Sequence, residues 1–282
     1  MLINGTNIIG VFPGRNWNTL FDKPVIVGAH WDVVANTTGF NDNGSGTAAL
    51  LETMRVIMSA KCFQPTNTII FVAFDSEESG SIGSYEYVRR QIMPYFIRRG
   101  LKISGAIILD TLLNYDFNEN SQNIPDNWEH IIPESVNSIR EDQNKGDFIA
   151  VIGRNLNQEA RMMSIFKRWF ELVTRGINKG NQVFDFKLRK FVLNTLPHDR
   201  FPTEETLIQH ASFWRSDHSR FWYYRESQNG VNTVERSNQA ETVSMPAILV
   251  SDTGKFAYSC TNSFINMPYT LFTPFQHTTE GI

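Results

Sequence analysis

Between positions 30 and 42 the chain places His30, Asp32 and Asp42, the last inside Asn41-Asp42-Asn43-Gly44-Ser45-Gly46, and further on it carries an adjacent acid pair, Glu77-Glu78. Hydrolysis assisted by two metal ions draws on these residue types. It needs an imidazole on one ion, a carboxylate that bridges both, and a free carboxylate beside a bound water. A lone His-x-Asp says little. Taken singly, each acid reads as turn chemistry, because Asp, Asn and Gly after a strand are ordinary loop residues and Ser45 suits a helix cap. Glu77-Glu78 alone reads as an acidic first turn that favours a helix dipole. The ordered set, arriving after apolar segments, outweighs those blander readings.

The elements that must position these side chains are legible as short apolar runs rich in β-branched residues. Segments Asn7–Phe12, Val25–Ala29, Thr68–Phe74, Ala106–Leu109, Phe148–Ile152 and Ala247–Val250 read as strands. Their near-continuous hydrophobicity, without alternation, suggests a sheet covered on both faces. Helical patterns lie between them. Ser45–Met58 sets Ala48, Leu51, Val56 and Met58 among its apolar positions. Ser84–Met93 follows, and Gln158–Ile177 carries Met162, Ile165, Phe166, Trp169, Phe170 and Val173 on a broad apolar face. The expected fold is α/β: a three-layer sandwich whose central sheet is mixed and largely parallel, with helices on both faces. In such folds ligands gather outside the carboxyl ends of the strands. His30, the pair Glu77-Glu78 and Asp110 each follow a different strand, so one edge of the sheet should collect them.

Composition bounds the alternatives. A chain of 282 residues, 41% apolar and 20% charged, is long enough to bury a full core. No repeat, low-complexity tract or Pro/Gly/Ser linker divides it, so one domain spanning 1–282 is expected. The formal charge of −3 offers no basic field for nucleic acid. No apolar run approaches the roughly 20 residues of a membrane span, and Met1-Leu2-Ile3-Asn4-Gly5 lacks the start of a signal peptide. Cys62 and Cys260 are either one disulfide or two thiols. Sequons at Asn4, Asn36 and Asn43 matter only in a secreted protein. His130, His198 and His210 sit in polar surroundings and read as surface residues.

The motifs together resemble the M28 metallopeptidases, co-catalytic zinc exopeptidases that include bacterial leucyl aminopeptidases. The matching segments are Asn7-Ile8-Ile9-Gly10, Gly28-Ala29-His30-Trp31-Asp32, Asn41–Gly46, Phe74–Gly80, Leu109-Asp110 and Ser216-Asp217-His218. The resemblance implies two zinc ions and a peptide substrate. It gives His30 and Asp110 to one ion, Asp42 to the bridge, and Glu78 with His277 to the second ion. Glu77 becomes the general base on the metal-bound water, and Asp32 accepts a hydrogen bond that orients His30. Ser216-Asp217-His218 becomes a supporting loop beside the site.

The chain departs from the family pattern in places. Asn41 stands where a second acid often precedes the bridge, the stretch 255–282 is atypical, and helices that commonly precede the first strand are lacking. The resemblance further implies a secreted or lumenal setting. Two other readings remain open: a glutaminyl-cyclase-like enzyme with one zinc, and a non-catalytic binding domain that keeps the fold. The aromatics Phe213, Trp214, Phe221, Trp222, Tyr223 and Tyr224 either wall a specificity pocket or pack the core. No motif distinguishes recognition of a free amino end from a carboxyl end, and none sets the oligomeric state.

Overall fold

In a computed structural model, residues 4–178, 186–225 and 242–252 can be described. The apolar runs form a seven-stranded sheet of β1 (Ile8–Phe12), β2 (Val25–His30), β3 (Ile69–Phe74), β4 (Gly105–Leu109), β5 (Phe148–Arg154), β6 (Lys187–Leu193) and β9 (Ala247–Ser251). A small antiparallel ribbon joins β7 (Tyr224–Arg225) to β8 (Thr242–Val243). Strand order in the large sheet is β1-β3-β2-β4-β9-β5-β6. Strands β3, β2, β4 and β9 run parallel, as do β5 and β6, while β1 pairs antiparallel with β3 and β5 with β9. The mixed, mostly parallel sheet expected from the sequence is therefore present.

Both faces of the sheet are covered. Helices Ile82–Tyr87, Pro133–Glu141 and His218–Trp222 share one face with a core that includes Phe74, Ile108, Trp128, Phe191 and Trp222. Helices Gly44–Ser59 and Asn157–Asn178 cover the other, over Val27, Phe71, Leu109, Val151 and Ile248. The central strands bury both rows of side chains, which is why their sequences do not alternate.

Three details differ from the sequence reading. Strand β6 (KLRKFVL) escaped notice because its alternating charges mask a half-buried pattern. An edge strand tolerates those charges, and here Lys187 reaches Asp142 and Asp147 at 2.5 and 2.6 Å. Helix Gly44–Ser59 is apolar nearly all round, so periodicity chose the wrong face: Leu51, Val56 and Met58 are exposed, while Leu50 is buried and Met54 and Ile57 pack on the core. Helix Asn157–Asn178 buries Met163, and Ile165, Trp169 and Val173 border an apolar groove of about 540 Å³ above Val25 and Ile107.

The aromatics around Ser216-Asp217-His218 are packing. Phe213, Phe221 and Trp222 are fully buried, and Tyr223 and Tyr224 nearly so. His130 and His198 are exposed as expected, but His210 is buried, with Nε2 2.6 Å from the Thr195 hydroxyl and Nδ1 2.8 Å from the Thr206 carbonyl. Asn43 is buried too, as a helix cap, so its sequon cannot carry a glycan on the folded chain. Cys62 is exposed; Cys260 lies outside the described residues.

Candidate metal centre

Parallel neighbours end at the same edge, and the site is built there. His30 is the last residue of β2, Asp110 follows β4, and Glu77 and Glu78 follow β3. Asp42 comes from the loop that leads into helix Gly44–Ser59. The Nε2 of His30 lies 3.2 Å from an Asp42 oxygen and 3.5 Å from one of Asp110. Ligand-type atoms of His30, Asp42 and Asp110 lie within 4.8 Å of one another, and those of His30, Glu77 and Glu78 do likewise. His30, Asp42, Glu77, Glu78 and Asp110 thus converge, with Asp32 behind them. His277 lies outside the described residues.

The electrostatics are those of a centre short of positive charge. Burial works against a charged His30, yet the carboxylates of Asp110, Asp32 and Asp42 outweigh it and raise the imidazole above its ordinary range. Burial, followed by the Asp42 charge, pushes Glu78 up to about 7. Burial dominates Glu77 as well and raises it well above a normal carboxyl; His30 opposes this, while Asp217, Asp110 and Glu78 add to it. For Asp110 burial would raise the carboxyl, but His30 first and Ser216 after it hold it low. Burial likewise works to raise Asp32, and His30 with the backbone of Glu77 and Glu78 lowers it on balance.

Asp32 acts through its neighbours. Its two carboxylate oxygens accept the backbone N–H groups of Glu77 (3.0 Å) and Glu78 (3.1 Å). The His30 Nδ1 sits 3.1 Å from the Asp32 carbonyl and 3.4 Å from its carboxylate, so the main-chain oxygen is the nearer acceptor. With Nδ1 donating, the buried Nε2 has no hydrogen-bond partner among the described residues and faces two acids. One Glu78 oxygen is also buried without a partner among the described residues. A cation between them would satisfy both atoms, and imidazole with carboxylates is a donor set that suits zinc. The residues present fit the metal.

The loop before helix Gly44–Ser59 shows where capping was misread. Asn43, not Ser45, caps the helix, accepting the Gly46 N–H at 3.0 Å. The Ser45 hydroxyl donates to the Asn41 carbonyl (2.6 Å) and accepts from Leu112 N (2.9 Å). In the Ser216-Asp217-His218 loop, His218 is fully buried, and its Nε2 lies 2.9 Å from the Phe213 carbonyl. Burial lowers it to about 4, so it is a neutral packing residue. Asp217 is a site neighbour that residue types alone did not rank. It is fully buried, and burial, against the pull of His30, pushes it up to about 7. Its only sequence signal was its place between Ser216 and His218.

Residues 7–146 match the family description "Peptidase family M28". Over those residues the chain is a member of peptidase family M28. The M28 segment holds His30, Asp32, Asp42, Glu77, Glu78 and Asp110. Among curated relatives, "Leupeptin-inactivating enzyme 1" of Streptomyces exfoliatus is 38% identical over 108 residues, which are 38% of this chain and 23% of that protein. "Aminopeptidase YwaD" of Bacillus subtilis is 43% identical over 82 residues, 29% of this chain and 17% of that protein. The chain thus spans about a quarter or less of the length of these relatives. Among solved structures, the zinc aminopeptidase BSAP of Bacillus subtilis aligns with 87% of this chain and 40% of its own, at 20% identity and a TM-score of 0.44.

Proposed function

We propose that this chain is a zinc-dependent exopeptidase, an aminopeptidase in its most direct form, acting on a peptide substrate. The observation that carries the reading is the pair of donor clusters that share His30 at the carboxyl edge of the sheet. In this reading His30 and Asp110 would hold one zinc, Glu78 with His277 a second, and Asp42 would serve both. Zinc bound there would supply a Lewis acid for the scissile carbonyl and an acidified water.

The chain's own groups do the rest. Glu77, buried beside Glu78 with its N–H fixed on Asp32, takes a proton from the attacking water at its carboxylate and returns it to the leaving amine. Asp32 sets the Glu77-Glu78 turn and keeps the Nδ1 proton on His30, so that Nε2 stays free to bind. No helix among the described residues is long and apolar enough to cross a membrane.

The test joins metal analysis of the purified protein to hydrolysis of a panel of aminoacyl and dipeptide substrates. Two zinc ions per chain and turnover of a substrate with a free amino end are expected. Glu77→Gln should keep its metal and lose about 10²–10⁴-fold in kcat, whereas Glu78→Gln should lose metal. One ion per chain without peptide hydrolysis would favour the cyclase-like reading, and no ion at all the binding-domain reading. Loss of metal in Glu77→Gln with full activity in Glu78→Gln would mean the two roles are exchanged.

A further inference from the structure

The residues on either side of Asp42 grip the residues on either side of Asp110. Asn43 donates its amide to the Leu109 carbonyl (2.9 Å) and accepts the Thr111 N–H (3.1 Å). Asn41 accepts the N–H groups of Leu112 (3.1 Å) and Leu113 (2.9 Å) on its side-chain oxygen. Its amide donates to Asp252, at 2.9 Å, just beyond the end of β9. Asp252 is itself buried, accepts from the backbone and side chain of Asn114 (2.7 and 3.2 Å), and donates its own N–H to the Thr111 carbonyl at 2.6 Å. Between the two grips Thr111 has a φ of 51°. That is the left-handed region, which a β-branched side chain adopts only when its surroundings impose it.

We propose that Asn41 and Asp252 are positioning residues which, as a clamp on the loop after β4, set the placement of the Asp110 carboxylate relative to that of Asp42. The clamp needs an amide at 41, because Asn41 uses both ends: the oxygen accepts from the loop and the nitrogen donates to an acid. An aspartate at 41 would still accept from Leu112 and Leu113 but would face Asp252 charge to charge. An acid at position 41 therefore demands a donor at 252. The consequence for bound zinc rests on the functional reading above; the clamp itself does not.

Two variants test it: Asn41→Asp, and the exchange Asn41→Asp with Asp252→Asn, which removes the charge-to-charge contact and lets the new amide at 252 donate to the new acid at 41, at the cost of the oxygen that accepts the Asn114 N–H. Amide hydrogen exchange across 109–114 in metal-free protein reads the clamp directly. Zinc loss to a chelator and the visible spectrum of the cobalt(II)-substituted protein read ligand placement. The single variant should exchange faster at Leu112 and Leu113, alter the cobalt spectrum, and release zinc about 10–100-fold more readily, the usual range for a partner of a ligand. The exchange variant should recover part of each loss through relief of the repulsion, and only part, because the Asn114 N–H loses its acceptor. Wild-type behaviour in Asn41→Asp would overturn the proposal, and so would an exchange variant no better than the single one. If wild-type protein takes up no zinc or cobalt while hydrogen exchange responds as described, the functional reading fails and the clamp stands.

Discussion

Arg154, the last residue of β5, makes a buried ion pair with Glu159 on helix Asn157–Asn178; the two side chains are 1% and 0% exposed. The guanidinium reaches Glu159 at 2.5 Å and donates to the carbonyls of Trp222 (3.2 Å) and Met245 (3.1 Å) and to the Ser244 hydroxyl (2.9 Å). Arg154→Met would remove all of these donors. Among the described residues Glu159 would keep the N–H of residue 154, at 2.6 Å, and the distant Ala247 N–H at 3.4 Å. Removing one partner of a buried pair costs about 3–5 kcal/mol, and each carbonyl left without a donor adds about 1–3 kcal/mol where no water can enter. A loss near 5 kcal/mol is therefore expected, a large part of the roughly 5–15 kcal/mol that stabilises a domain.

Urea unfolding at neutral pH measures that loss, and the double variant Arg154→Met, Glu159→Leu should recover most of it because no buried charge remains. The pH dependence has a definite sign. Burial raises Glu159 and Arg154 opposes that rise, so removing Arg154 raises it further. A carboxyl raised in the folded state binds protons better there than in the unfolded chain. Its penalty is absent below the unfolded value of about 4.3 and grows as pH climbs through the folded one. The Arg154→Met deficit should thus be larger at pH 7 than at pH 4. A deficit under about 1 kcal/mol, well below the range for a broken buried pair, or one that grows on acidification, would refute the reasoning.

Two further outcomes are expected from the same structure. A methyl group at Gly46 would meet the Asn43 side-chain oxygen at 2.4 Å and the Leu109 carbonyl at 2.5 Å, whereas one at Gly176 meets nothing. Gly46→Ala should therefore lose about 1–3 kcal/mol or more to overpacking and loosen the Asp42 loop, while Gly176→Ala should gain up to about 1 kcal/mol; thermal unfolding of both side by side decides it, and equal effects would count against the close approach. His218, lowered by burial from 6.5 to about 4, stays neutral when the unfolded chain takes a proton. Its contribution is present above pH 6.5 and is lost as pH falls toward 4, by about 3 kcal/mol at 1.36 kcal/mol per pKa unit. Comparing unfolding of the wild type with His218→Gln across that window should show a flatter profile in the variant, and parallel profiles would contradict the assignment.

The sequence by itself determined the strands that carry the site. Runs such as Val25–Ala29 and Thr68–Phe74 are apolar on both sides because both faces of their strands are covered, and a ligand-type residue follows each. That the acids gather at one edge follows from parallel neighbours alone. Periodicity could not settle what depends on partners. Helix Gly44–Ser59 has apolar residues all round, and only packing against β2, β3 and β4 shows that Leu50 faces inward and Leu51 outward. Strand β6 hid its burial behind Lys187, Arg189 and Lys190, whose charges an edge accommodates.

Within the site, the residue types of Asn41, Asn43 and Ser45 announced a loop but not the work of its side chains. A carboxamide bonds equally well to its own turn or to a segment some 70 residues away, and only the fold brings Leu109–Leu113 beneath it. The burial of His210 was likewise invisible in its polar neighbours, whereas Asp217 and His218 lie between aromatics that a pocket or a packed core would equally explain. A polar side chain is buried when the fold supplies its partners or its shelter, and both come from residues distant in sequence.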